Sequence, residues 1–96
     1  EPDPQIYTKR TVRNVMDADA TLWMGNPYSP GGRLTLGTCK RLGKLFIINP
    51  TPQDLMDFLE RHGVVILNVA GNREHTNPGI QRRTAELLID ALEGRL

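Results

Sequence analysis

Three short apolar runs, Ala20–Met24, Leu45–Ile48 and Val64–Val69, are separated by stretches long enough to hold a helix, and no other feature constrains the fold as much. A strand without polar alternation must be covered on both faces. Parallel strands need crossover connections of a dozen or more residues, usually helical. Runs of this kind joined by helices therefore specify a parallel sheet with helices packed on it.

The intervening stretches carry helix signals. From Thr8 onward, Val12, Val15 and Met16 fall at helical spacing. A second helix is predicted from Leu34 to Leu42, ended by Gly43. The third has Thr51 as N-cap, Pro52 at the first helical position, Asp54 in the first turn and Gly63 just past its end, with Leu55, Phe58, Leu59 and His62 on its inner stripe. The last begins after Asn77 and Pro78 and is expected to bury Ile80, Leu87, Leu88, Ala91 and Leu92. The order α-β-α-β-α-β-α predicts an α/β, Rossmann-like three-layer sandwich with Val64–Val69 as a central strand. Residues 1–7, beginning Glu-Pro-Asp-Pro-Gln, read as an extended leader or linker end, and 8–96 as the α/β domain.

Ninety-six residues admit one domain. Three strands make a thin sheet for helices on both faces, so an upstream segment, a second copy or another chain is expected to complete it. Glu1 rather than Met at the start is in keeping with an upstream part. Twelve Lys and Arg against eleven Asp and Glu give a net charge of +1, no electrostatic footprint for nonspecific nucleic-acid binding. No apolar run approaches the roughly 20 residues of a membrane span, and no secretory signal opens the chain. The single cysteine, Cys39, has no internal partner, and two histidines without a cysteine cluster make no structural zinc site. A reducing, cytoplasmic setting is the expectation.

Ligands of open α/β sheets bind beyond the carboxyl ends of the strands, here the loops beginning at Gly25, Asn49 and Ala70. In the first of these, Asn26, Ser29, Gly31 and Gly32 precede a helix whose early residues include Thr35. Glycines would let the backbone approach an anion, and free amides at the helix start would point at it. A simple tight turn is the competing reading. On the phosphate reading, Gly32→Asp should abolish ligand-induced stabilisation and leave the fold intact. Asn68, Gly71, Asn72, Arg73 and Glu74 leave the third run at the same end, where Arg73 could meet a phosphate and an Asn a base or ribose. They could equally serve the loop backbone.

The run Ser29-Pro30-Gly31-Gly32-Arg33-Leu34-Thr35 follows Asp19-Ala20-Thr21-Leu22, and Leu67-Asn68-Val69-Ala70-Gly71-Asn72-Arg73-Glu74 and Pro78-Gly79-Ile80 come later. Together with Arg10-Thr11-Val12-Arg13-Asn14-Val15, similar to an Arg-Thr-x-x-Asn-Val motif, these segments resemble the putative molybdenum carrier family, a circularly permuted branch of the SLOG, or LOG-like, nucleotide-binding superfamily. The resemblance implies a Rossmann-like fold that binds a nucleotide or a molybdopterin-type cofactor at its glycine loops, with Arg13 and Asn14 bracing the first loop. Two departures stand out. The family's upstream strand with a Gly-Gly-Gln-Thr-Gly loop and a following Asp-Arg has no counterpart here. LOG relatives that cleave nucleoside monophosphates use Pro-Gly-Gly-x-Gly-Thr-x-x-Glu, where this chain has Leu34 for the third glycine and Thr38 for the glutamate. Phosphoribohydrolase activity is therefore not expected.

The remaining chemical groups take structural readings. Asp17 and Asp19 close a helix and lead into a strand more readily than they form a catalytic pair. His62 suits a helix C-terminus, His75 lies in the last loop beside Glu74, Cys39 reads as a packed thiol, and Trp23 as core. The chain is expected to bind a small phosphorylated ligand. The alternative is a non-catalytic assembly subunit that keeps the fold, forming a homo-oligomer or joining a chain that supplies the missing part.

Overall fold

The computed structural model describes residues 4–72 and 77–93. Seven elements follow in order: α1 (Pro4–Asp17), β1 (Ala20–Met24), α2 (Pro30–Leu42), β2 (Leu45–Ile48), α3 (Pro52–Arg61), β3 (Leu67–Gly71) and α4 (Ile80–Glu93). The three strands are parallel in the order β2-β1-β3, with Leu22 level with Ile47 on one side and Val69 on the other. The fold is a Rossmann-like α/β sandwich. No helix among the described residues is long and apolar enough to cross a membrane.

Alternation along β1 divides the interior in two. Ala20, Leu22 and Met24 meet Leu55, Leu59 and Val64 from the α3 side and Ile80, Leu87 and Ala91 from α4. Thr21 and Trp23 face the opposite way, toward α1 and α2, where Val15, Thr35, Thr38 and Cys39 are buried. The Cys39 thiol is fully buried, and burial raises its pKa above the ordinary 9.0. It packs as an inert small side chain.

Several boundaries differ from the sequence reading. Helix α1 reaches back to Pro4, into the stretch expected to be extended. Proline is accepted in a first helical turn, where its missing N–H has no intrahelical partner in any case. β1, all five residues buried, is the central strand, and β3 flanks it. The third run also starts its strand late. Val64 donates its N–H to Leu59 O at the end of α3, and the N–H groups of Val65 and Ile66 are both taken at 2.9 Å by the Asp19 carboxylate. Asp19 N returns a bond to Ile66 O at 2.8 Å, so this clamp replaces the sheet ladder before Leu67. Val65 and Ile66 are left exposed, and so is Leu92, which was expected to be inside.

The same clamp sets a pH dependence. The Ile66 and Val65 N–H groups hold the Asp19 pKa below its ordinary 3.8. A depressed folded pKa stabilises the protein above the unfolded value, and the gain is lost as pH falls below about 3.8 toward the folded value. Asp19→Asn is expected to lower the urea midpoint at pH 6 and to show a smaller deficit at pH 3, inside the window where the gain is being lost. An equal deficit at both pH values would remove the charge from the account.

Candidate functional site

The chain moves from β1 to β2 on one side, then crosses back to place β3 on the other, so the carboxyl ends of β1 and β3 bound the crevice where the winding reverses. The loop after β1 is held from both neighbouring strands by asparagines. Asn49, at φ 44°, accepts from Gly25 N through Oδ1 and donates to Gly25 O through Nδ2, both at 2.8 Å. Asn72 Oδ1 accepts from Asn26 N at 2.6 Å, and its Nδ2 donates to Ser29 Oγ at 3.0 Å. Gly25 has φ +118°, and a Cβ there would run into the Asn72 side chain.

Gly32 and Gly71 serve backbone packing. Helix α2 begins at Pro30, earlier than expected, with Ser29 as its N-cap, and Gly31 and Gly32 lie in its first turn. Ser29 Oγ accepts from Gly32 N at 3.1 Å and donates to Asn26 O at 2.8 Å. A Cβ on Gly32 would lie 2.5 Å from Pro27 O and 2.8 Å from Asn26 O, and one on Gly71 would lie 2.5 Å from Met24 O. These absent Cβ atoms make room for neighbouring backbone. The expectation that Gly32→Asp leaves the fold intact is thereby corrected.

Beside this loop, on the face of the sheet under α1, lies a cavity of about 270 Å³. Its polar lining comes from Arg10, Thr11 and Asn14 of α1, Thr35 of α2 and Asn68 of β3, with Trp23 of β1 and the backbone of residues 69–71 completing the wall. Asn68 is level with Thr21 in the sheet and donates to Thr21 Oγ1 at 3.2 Å. Arg10 is the titratable group of this lining among the described residues, which otherwise supply hydroxyl and amide groups.

The structure thus groups Asn14, Thr35, Asn68 and Gly71 in one cavity and places Asn26, Ser29 and Asn72 in the adjoining loop network. Arg13 faces away: its side chain is 84% exposed and pairs with Asp17 at 3.7 Å. Arg10 and Thr11 join the cavity beyond the residues expected there, and helical geometry held a signal for Thr11 alone. Thr11, four positions before buried Val15, lies about 40° from it around the helix, whereas Arg13 lies about 160° and Arg10 about 140° away, so phase alone does not separate the two arginines. Thr38, at the position of the LOG glutamate, is buried and donates to Leu34 O at 2.7 Å. Asp17 and Asp19 are each engaged elsewhere, and no acidic, His or Cys cluster able to hold a metal occurs among the described residues. His62 caps α3 from an exposed position, its ring 5.0 Å from that of Phe58. Arg73, Glu74 and His75 lie outside the described residues.

Comparison with curated proteins finds no match. Among solved structures, the chain is similar to a protein named putative molybdenum carrier protein from Syntrophus aciditrophicus SB, with a TM-score of 0.76 and 29% identity. The match covers 90% of this chain and 60% of that one, so the chain spans less than two thirds of the similar protein. A family model described as the circularly permutated YpsA SLOG family matches residues 1–92. With nearly its whole length matched, the chain belongs to the circularly permutated YpsA SLOG family.

Proposed function

We propose that this chain binds a nucleotide or a nucleotide-like cofactor of the molybdopterin type, holding a phosphorylated end in the crevice between β1 and β3. The observation that carries this reading is the polar cavity at that crevice, where Arg10, Thr11, Asn14, Thr35 and Asn68 converge beside the amide-rich start of α2. Arg10 can pair with an oxyanion, the hydroxyls and the Asn68 amide can donate to it, and the helix start favours negative charge. Ser29, Gly31, Gly32 and Asn26 shape the approach, with Asn72 and Gly71 bracing it. Arg73 and Glu74 are proposed as further contacts from the loop after β3. The role is binding without turnover, because the glutamate position of the LOG motif is a Thr38 sequestered in the interior.

The test is thermal unfolding with AMP, ADP, GMP and a pterin phosphate. At least one is expected to raise the midpoint, and Arg10→Ala to weaken its binding about tenfold or more, the scale of a lost charge-assisted bond. Because Arg10 is exposed, the ligand-free midpoint should stay put. If no ligand stabilises the wild type, or Arg10→Ala binds equally well, the reading fails.

A second reading, assembly, rests on the outer side of β3. Val69 is 43% and Leu92 50% exposed, and a cavity of about 260 Å³ opens among Leu55, Leu59, Leu67 and Leu88. A strand added beside β3, from an upstream segment or a second copy, would cover it. Native mass spectrometry of the purified chain, with Val69→Lys as the disrupting variant, tests this. A cytoplasmic setting accompanies either reading.

A further inference from the structure

Trp23 is the largest fully buried side chain, 2% exposed, and among the described residues its Nε1 is the buried side-chain polar atom without a hydrogen-bond partner. An indole N–H kept from both water and protein acceptors is destabilising, because its desolvation is not repaid. A purely apolar side chain of the same shape would cover the sheet without that penalty. Two other buried polar side chains on this face, Thr21 and Thr38, have partners: Thr21 receives Asn68, and Thr38 donates to Leu34. Trp23 lies at the carboxyl end of β1, level with Ala70, and lines the same cavity as Arg10, Thr35 and Asn68. Among the described residues, the side chain with the orphaned buried donor therefore belongs to the wall of the polar cavity at the crevice.

We propose that the Trp23 indole N–H is a specificity-determining donor of this site, reserved for an oxygen of an anionic group, phosphoryl or carboxylate, whose charge is met by Arg10. The inference rests on the ligand-binding reading above and names the part of the ligand that the cavity floor selects. Among the described residues no carboxylate shares the lining, so none of them competes for the N–H or repels the anion. Exposed Arg10 is the long side chain of the wall and is free to reach an oxyanion held against Trp23. A buried donor left unpaired is a strong discriminator, because a ligand lacking the matching acceptor leaves the cost unrelieved.

Trp23 is the only tryptophan, so the protein has a single indole N–H resonance. With the full chain, AMP is expected to move that resonance downfield and slow its exchange with solvent, and inorganic phosphate to shift it in the same direction with weaker affinity. Replacing Trp23 by its benzothiophene analogue, which has sulfur in place of N–H and nearly the same shape, should weaken AMP binding about tenfold without lowering the unfolding midpoint. Trp23→Phe should show the same loss of affinity on a less stable protein.

If AMP binds and the indole resonance stays where it was, or the sulfur analogue binds equally tightly, the inference is overturned and the ligand-binding reading survives. If adenosine reproduces the shift, the oxyanion assignment is wrong. If wild type binds neither AMP nor phosphate and no ligand of the wider panel, both fall together.

Discussion

Gly32→Asp is expected to destabilise the chain by about 3 kcal/mol or more, at the upper end of what overpacking costs, because a buried charge is added to a steric clash. The new Cβ would stand 2.5 Å from Pro27 O and 2.8 Å from Asn26 O, backbone atoms held by the turn that starts α2. Neither can yield without moving Ser29, whose Oγ caps the helix and receives Asn72. A carboxylate facing two carbonyl oxygens adds repulsion to the clash. Gly37, in the same helix, is the contrast: nothing lies within 4 Å of its Cβ position, so Gly37→Ala should stabilise by about 0.5–1 kcal/mol. Urea unfolding followed by circular dichroism reads both signs. A Gly32→Asp protein melting with the wild type would show that the turn does not pack on α2 as described.

Leu22→Ala comes next in size, at about 3 kcal/mol or roughly 15 °C in midpoint for a chain this short. Leu22 is fully buried at the middle of the central strand, in the layer between the sheet and helices α3 and α4. Partial collapse around the lost methyls cannot refill the site, because Ile47 and Val69 flank it on strands fixed by the ladder. Leu92→Ala, on an α4 position 50% exposed, should change stability by less than about 1 kcal/mol in the isolated chain. Equal losses for the two would mean that Leu92 is covered in solution, as the assembly reading requires.

The glycine-rich stretch shows why a site is harder to read than a fold. Gly-Gly before a helix has the same appearance whether the missing Cβ atoms admit a ligand or another stretch of backbone. Only the position of Pro27 O, determined by the turn from Gly25 to Ser29, distinguishes them at Gly32. Asn72 is similar: its identity suggests recognition, while its two ends bond Asn26 N and Ser29 Oγ. Thr11 was legible in principle, since the phase of α1 puts it about 40° from Val15, whereas Arg10 and Arg13 are both far round the helix and only the tertiary structure separates them.

Local chemistry was enough to determine the order of elements, the caps at Thr51 and Gly43, the parallel sheet and the inertness of Cys39, because periodicity, N-cap hydroxyls and apolar runs act within a few residues of one another. Tertiary structure alone decided that β1 is central, that the third strand begins only at Leu67, and that Arg10, Trp23, Thr35 and Asn68 meet in one cavity. Each of these depends on contacts between residues dozens of positions apart: Asp19 with Val65 and Ile66, Thr21 with Asn68, and Asn26 with Asn72. A local pattern carries no record of which distant carboxylate will take a strand's first amide groups, or of which indole will be left without an acceptor.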